Sequence, residues 1–593
     1  MRNNSYGEFD SLFSTKLDSW VLFRKNFFDA FGTAHTEALN RAERTFKAAD
    51  RTTVFLSFEN RLASLGGLAA VMRLLPHHLR KKAENVLFFT PCHCNHPKVK
   101  YALDKGVLRR VAGPMKLHLC SYKGEVSLYQ DTEAEIPSYF VAVKGRFTAA
   151  PNIYLYSQPE ELLEDSLVFC AAVPYLLQHI GYRRNLLFHA HDWETAPVAI
   201  TSKLAVVDGL LESTRTVLTL HNSFDSGISR KKKQQFFGRD FPGNTILQCT
   251  IPLLNGPLTS VSTPFAYELR SDPLQREIFT NHLQEIFTMN PPVGVENGLF
   301  GQTYSPFTYA AVSRARRDDF SLVLQQKQRF REKMMQVIGS VIDENVIGSL
   351  GNIDSSVPVL FMSGRMDLMQ KGFDVIFQAF RRLPRGSAKL LFCPSSGSTP
   401  AELEFFSHIE SQCRGDISIW PFRISSEQYN SILSGASFLL MPSFYEPFGA
   451  ATEGFMHATP VIARGTGGLW VQVQPYDGIH IPDFYNSLFH FSGALESATG
   501  VLFREVASET DAQKGWRECL SVPVKRRMES PFYRSMVDAA FDALVVAQKI
   551  FGDEAAYGRM AFNGTECLRD FSWDVAVEKY RKVYDVASFR GYF

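Results

Sequence analysis

Several short stretches place reactive side chains directly after apolar runs. Pro442-Ser443-Phe444-Tyr445-Glu446-Pro447-Phe448-Gly449 is followed by Glu453 and then by Thr466-Gly467-Gly468-Leu469. Carboxylates on either side of a strand-to-helix turn can be simple caps. Beside a Gly-Gly turn they read instead as a pair that grips the hydroxyls of a sugar and a ribose. Ser363-Gly364-Arg365 with Lys371-Gly372 suits a diphosphate, which Arg binds bidentately and Lys meets as a point charge. The plainer alternative for each is a surface ion pair. In the run from Glu59 to Val71, Gly66-Gly67 follows a strand and opens a helix. Backbone amides there can approach a phosphate or a sugar, unless the pair only makes a turn. His189-Ala190-His191-Asp192-Trp193 and Thr219-Leu220-His221-Asn222 put imidazoles at strand ends, and His189 suits a hydrogen-bonded core position equally well. Cys92-His93-Cys94 has ligand types for a metal, but no second Cys pair with zinc-like spacing accompanies it, so no metal site is expected.

These residues need rigid strands behind them. In the first half the apolar runs are Thr53–Phe58, Val86–Thr90, Leu186–Ala190, Thr216–Leu220 and Thr259–Ser262. In the second they are Val359–Ser363, Lys389–Cys393, Ile417–Trp420, Phe438–Met441 and Pro460–Ala463. Runs apolar throughout are buried on both faces, the habit of parallel strands covered by helices. Two such series predict an α/β chain of two doubly wound, Rossmann-like domains with a cleft between them, the ligand lying at the strand carboxyl ends. The divisions read as an extension over 1–50, a first domain over 51–300 with an antiparallel insertion at 110–145, a second domain over 301–560, and a closing segment over 561–593. Residues 228–243, with Arg230-Lys231-Lys232-Lys233, read as a solvated loop.

The chain has 593 residues, too many for one ordinary core. Its 63 Lys+Arg and 61 Asp+Glu leave a net charge of +2, which gives no global reason to expect nucleic acid. Nine cysteines, an odd number, fit reduced thiols in the cytoplasm rather than a disulfide framework. The first residues lack the apolar stretch of a signal peptide, and no apolar run of ~18 residues suggests a membrane span. Oligomeric state is not legible.

In series, H-A-H-D-W, T-L-H-N, G-V-E-N-G, K-G-F-D, E-P-F-G and T-G-G-L resemble the glycogen/starch synthase family of retaining glycosyltransferases, whose fold is GT-B. The similarity runs from about Thr53 to about Val586 and includes Phe571-Ser572-Trp573-Asp574 with Tyr580 and Tyr584, similar to the family's closing helix that packs back on the first domain. The resemblance implies that His191 hydrogen-bonds the donor sugar, while Arg365 and Lys371 hold the nucleotide diphosphate. It further implies that Glu446 faces the sugar, that Phe448 and Gly449 offer amides to its hydroxyls, that Glu453 holds the ribose, and that Thr466, Gly467 and Gly468 line the phosphate and sugar site. Gly66 and Gly67 belong to the donor site; Arg61, His221, Asn222 and Asn297 are further candidates.

Departures are equally plain. Ser64 stands where the family's K-x-G-G-L has Lys, with Arg61 nearby as a substitute; Ala70 and Phe300 stand where acids are usual. Glu453 follows Glu446 one residue sooner than the E-x7-E pattern, and Arg365 to Lys371 is one residue longer than in most bacterial forms. The acid that precedes the H-A-H-D-W strand has Glu160 or Glu161 as its nearest candidate. The implied reaction moves glucose from ADP-glucose or UDP-glucose to the non-reducing end of an α-1,4-glucan, without metal or other cofactor. The two domains are expected to close over the donor, with hinges near 300 and 560. Two rivals stand beside this reading: a GT-B enzyme with another donor or acceptor, and a non-catalytic glucan-binding or regulatory homologue.

Overall fold

The computed structural model describes residues 35–301, 305–395, 400–477 and 481–588. The chain divides into two compact units. The first holds the chain up to Ser271, Phe279–Phe300 and the segment from Trp573; the second holds Asp272–Ile278 and Gly301–Ser572. Helix Glu554–Cys567 therefore lies in the second unit, and the return to the first begins at Trp573, later than the boundary at 561 read from the sequence.

The first unit is built on one nine-stranded sheet. Its strands are β1 (Thr52–Leu56), β2 (Asn85–Pro91), β3 (Leu108–Leu119), β4 (Tyr122–Asp131), β5 (Ser138–Val143), β6 (Leu186–His191), β7 (Thr214–Leu220), β8 (Leu258–Ser260) and β9 (Val293–Gly294). The order is β3-β4-β5-β2-β1-β6-β7-β8-β9. From β5 to β9 every pairing is parallel. Strands β1, β6 and β7 are buried along their whole length, as runs apolar on both faces require. The antiparallel stretch runs through β3, β4 and β5 and joins the main sheet at its edge, because β5 pairs parallel with β2.

The second unit has seven strands. They are β10 (Ile347–Gly348), β11 (Val359–Arg365), β12 (Lys389–Ser395), β13 (Ile417–Ile419), β14 (Phe438–Met441), β15 (Val461–Arg464) and β16 (Gly500–Phe503), in the order β10-β13-β12-β11-β14-β15-β16. All pair in parallel except the short β10.

Helix Trp573–Ser588 lays Trp573, Tyr580 and Tyr584 in one apolar cluster with Phe55, Met72, Leu75 and Val217 of the first unit. The basic run is not a solvated loop but a helix, Arg230–Phe237, capped by Ser229. Lys233 turns inward, is buried, and donates to the carbonyls of Phe241 (2.6 Å) and Gly243 (2.9 Å). The cation is held by these two carbonyls and by Asp240 Oδ1 at 2.8 Å, partners that only the fold assembles. Among the described residues, no helix is long and apolar enough to cross a membrane.

Candidate active site

In the first unit, the candidate residues gather beyond the carboxyl ends of β1, β6 and β7. The two histidines of H-A-H-D-W part company. His189 sits between Tyr584 Oη and Thr219 Oγ1, both at 2.8 Å, so each ring nitrogen has a partner and the side chain serves the core. His191 stacks on Phe55 and places Nδ1 2.9 Å from His221 Nε2. Its Nε2 is buried and has no hydrogen-bond partner. A buried polar atom left unpaired costs free energy of about 1–3 kcal/mol, so Nε2 has an unmet hydrogen bond that a ligand can make. Burial drives the pKa of His191 well below the usual range, with His189 and His221 adding to the effect, and burial takes His221 down to about 3. Both imidazoles are neutral at neutral pH and act as hydrogen-bonding groups rather than cations.

The corner after β6 is tightly built. Thr195 Oγ1 accepts from His191 N at 2.6 Å and donates to His191 O at 2.8 Å. Asp192 is held at φ +62°, a strained backbone for a residue with a side chain, and its Oδ1 accepts from His221 N at 2.6 Å. Burial raises the Asp192 pKa. Asn222 spends its side-chain oxygen on Phe224 N in a local turn. Asn297 is buried with Oδ1 unpartnered. The next residue, Gly298, could not carry a Cβ, which would stand 2.4 Å from Trp573; the indole donates to Leu299 O at 2.8 Å. The closing helix thus fixes the Asn297 turn, and Phe300 packs on the same indole where an acid was expected.

Gly66 and Gly67 are exposed at the start of helix Gly67–Lys81. The amides of Leu65 and Gly66 are already taken: both donate to Glu59 Oε2, at 2.9 and 3.0 Å. A buried carboxylate of the chain itself braces the turn. Arg61 does not stand in for the missing lysine. Its guanidinium holds Asp131 through two bonds of 2.6 and 2.7 Å and reaches Glu133 at 3.2 Å. Arg61→Ala is therefore expected to cost about 1–2 kcal/mol of stability, discounted because the guanidinium is partly solvated, and to leave the donor KM within about twofold. Chemical denaturation alongside donor kinetics checks both halves. Glu160 and Glu161 lie in the exposed first turn of helix Pro159–His179; the buried acid of that helix is Asp165, bound by Phe147 N at 2.8 Å and Tyr156 Oη at 2.6 Å.

In the second unit the centre is an ion pair: Lys371 Nζ lies 2.6 Å from Glu446 Oε2, which also accepts from Ser443 Oγ at 2.9 Å. These residues follow β11 and β14, adjacent in the sheet. Gly372 must be glycine, with φ +58° and a Cβ position 2.4 Å from Pro442 O. Arg365, at the end of β11, donates to Gln370 Oε1 at 3.0 Å, and Gln370 O accepts from Phe444 N at 2.7 Å. Gln370 thereby ties the arginine to the Glu446 loop. A cavity of about 550 Å³ opens beside Arg365, lined by Asp367, Met369, Glu402 and Val524 among others; Lys371 and Glu446 do not line it. Asp374 of K-G-F-D is buried and anchors Arg527 (2.9 Å) and Tyr533 Oη (2.7 Å). Glu453 accepts from Tyr429 Oη at 3.2 Å, and burial raises its pKa.

The T-G-G-L turn packs backbone to backbone on the Glu446 loop. A Cβ on Gly467 would stand 2.0 Å from Glu446 O, and one on Gly468 1.6 Å from Phe448 O. Gly468 N donates to Glu446 O at 3.0 Å, so that amide is committed within the protein. Thr466 is buried. Gln472 braces the other side: its Nε2 donates to Phe448 O at 2.8 Å and its Oε1 accepts from Ala451 N at 3.0 Å. Gln370 and Gln472 escaped the sequence reading, since amide braces carry no periodicity; the only available sign was their place one residue before Lys371 and three after Leu469.

Residues 52–247 match the model of the starch synthase catalytic domain, and residues 350–488 that of the glycosyl transferases group 1. Together with two Rossmann-like units, these matches define a glycosyltransferase of GT-B fold. The glycogen synthase of Geotalea daltonii is 25% identical over 547 residues, covering 88% of this chain and 96% of the relative. That of Thermotoga maritima is 26% identical over 453 residues, covering 72% and 85%. The catalytic domain of starch synthase IV from Arabidopsis thaliana, solved bound to ADP and acarbose, superposes with a TM-score of 0.67 at 19% identity, covering 91% of this chain and 99% of that one. The chain is a glycogen/starch synthase-like glucosyltransferase, divergent at these identities.

Proposed function

We propose that the protein transfers glucose from ADP-glucose or UDP-glucose to the non-reducing end of an α-1,4-glucan, with retention at the anomeric carbon. The observation that carries this is the Lys371–Glu446 pair at the ends of two adjacent parallel strands. Breaking the sugar–phosphate bond leaves an oxocarbenium-like sugar and a diphosphate that gains negative charge. Lys371 and Arg365 are cations held beforehand where that charge develops, and preorganised electrostatics of this kind is commonly the largest single catalytic contribution. Glu446 binds a sugar hydroxyl: its Oε2 is spent on Lys371 and Ser443, which makes it a poor covalent nucleophile. The attack then comes on the face from which the phosphate leaves, with the departing phosphate taking the acceptor proton. Neutral His191 supplies a hydrogen bond through Nε2 to the donor sugar. The relatives' names support the glucan class of acceptor, and the ADP bound to the Arabidopsis enzyme supports a nucleotide-sugar donor.

Offering ADP-glucose and UDP-glucose separately with glycogen, and measuring released nucleotide and glucan-bound glucose, tests the reading. Release with one donor and glycogen elongation are expected. Binding of glucan without release from either donor would favour the regulatory homologue. With Arg61 engaged by Asp131, Ser64→Lys is expected to add a free ammonium and raise kcat/KM for the donor roughly tenfold, the worth of one charge-assisted hydrogen bond. An unchanged value would mean that this turn does not reach the donor.

A further inference from the structure

Cys92-His93-Cys94 takes no part in this chemistry, yet it packs on the Phe58–Ala63 loop that leads into the glycine turn. It follows β2, and Cys94 N donates to Cys92 O at 2.7 Å, which folds the tripeptide back on itself. The two sulfurs stand 3.8 Å apart, with Cys92 buried and Cys94 exposed. Among the described residues, no group of three His, Cys, Asp or Glu is placed to hold a metal ion. A disulfide needs the two sulfurs to close from 3.8 Å to the bonding distance of about 2.05 Å. We propose that Cys92 and Cys94 are a modification site, a dithiol that a small-molecule disulfide oxidises to an intramolecular disulfide, and that closing it loosens the turn at Gly66.

The thiols have distinct parts. Cys94 attacks: hydrogen bonding with Cys92 lowers its pKa to about 7, so a large fraction is thiolate, the reactive form. Cys92 is held protonated by the same pairing and by burial. The Cys94 thiolate forms a bond to one sulfur of glutathione disulfide and expels one glutathione thiolate. Cys92 then gives its proton to solvent and attacks Cys94 Sγ, and the second glutathione thiolate leaves. The protein loses two electrons and two protons, and the oxidant becomes two thiols.

The link to the turn is physical. Cys92 packs in one apolar cluster with Leu62 and Ala63. His93 Nε2 donates to Phe58 O at 3.0 Å, and Asn60 Nδ2 to Thr90 Oγ1 at 3.0 Å. These contacts seat the loop that carries Glu59, whose carboxylate holds the Leu65 and Gly66 amides. Drawing Cys92 toward Cys94 withdraws it from Leu62 and shifts His93 against Phe58.

The test treats the reduced full chain with glutathione disulfide, then maps the peptide 83–98 without reduction and follows hydrogen exchange at Leu65 and Gly66. Loss of two hydrogens from that peptide is expected, with faster exchange at both amides, and dithiothreitol should reverse both changes. Cys94→Ser should abolish them, and Cys92→Ala should stop at a glutathione adduct on Cys94. An unmodified peptide, or a stable glutathione adduct in the unmutated chain, would overturn the dithiol. A closed disulfide with unchanged exchange would overturn the coupling. A severalfold fall in transfer rate on oxidation rests on the transferase reading; a reduced chain without transfer would count against that reading, while the bond and the exchange would still be read.

Discussion

Lys371→Ala is expected to lower glucosyl transfer by about 10²–10³-fold while the chain stays folded. The lysine reaches Glu446 from the turn that follows β11, and Gly372 fixes its direction because no other residue fits there. Removing one preorganised donor to a developing negative charge typically costs ~2–4 kcal/mol of transition-state stabilisation. The loss should fall on kcat more than on the donor KM, because the charge on the leaving diphosphate grows only as the bond breaks. The stability cost is smaller. Both side chains keep some contact with solvent, at 19% and 14% exposure, and Glu446 retains Ser443. About 1 kcal/mol is therefore expected from the lost ion pair. Steady-state nucleotide release on the purified mutant, with circular dichroism to establish folding, decides the matter. A folded mutant within about threefold of the parent would place the leaving-group clamp elsewhere.

The sequence made the frame of both units legible because parallel strands are apolar on both faces, and the runs at Leu186, Val359 and Phe438 could be little else. It also showed which strand ends carry chemistry. It did not show which member of a motif does what. His189 and His191 differ by one pleat, and their fates are set by Tyr584, far along the chain, whose hydroxyl satisfies only the first. Arg61 read as a spare cation near an empty lysine position, but its partner Asp131 lies at the end of β4, a strand that local pattern does not bring close. Gly467 and Gly468 read as ligand-facing glycines; contact with the carbonyls of Glu446 and Phe448 forbids any side chain there, a backbone constraint that leaves no trace beyond the glycines themselves. Strand β16 was missed because Gly500–Phe503 is short and follows a stretch without periodicity. It nonetheless leads into the residues that hold the T-G-G-L turn in place.

Those residues give the second large effect: Glu505→Gln is expected to destabilise the second unit by about 3 kcal/mol at neutral pH and to weaken donor binding. Arg464, at the end of β15, meets Glu505 through two bonds, one of 2.8 Å from Nε, and also donates to Phe444 O at 2.8 Å. Arg504 lies against Glu505 at 3.3 Å, pairs with Asp272 and donates to Gly465 O, the residue before Thr466. All the groups are buried. Burial by itself pushes the Glu505 pKa up, but Arg464 and Arg504 outweigh it and hold the carboxyl at about 2, below its ordinary 4.5. Because the folded value is the lower one, the ionised carboxylate contributes stability above pH 4.5, and that contribution drains as pH falls toward 2. A difference of this size corresponds to about 3 kcal/mol, the range expected when a buried pair loses one partner. Gln keeps the shape and an acceptor but leaves the buried Arg464 without a counter-charge and Arg504 with Asp272 alone, so the turn packed on Glu446 and Phe448 loses part of its anchor. Denaturant unfolding of parent and mutant should differ most at neutral pH, and the gap should shrink by more than half near pH 3. A gap that is constant with pH would show that packing, not charge, accounts for the loss. An unchanged donor KM would show that the turn holds its place without a carboxylate on Arg464.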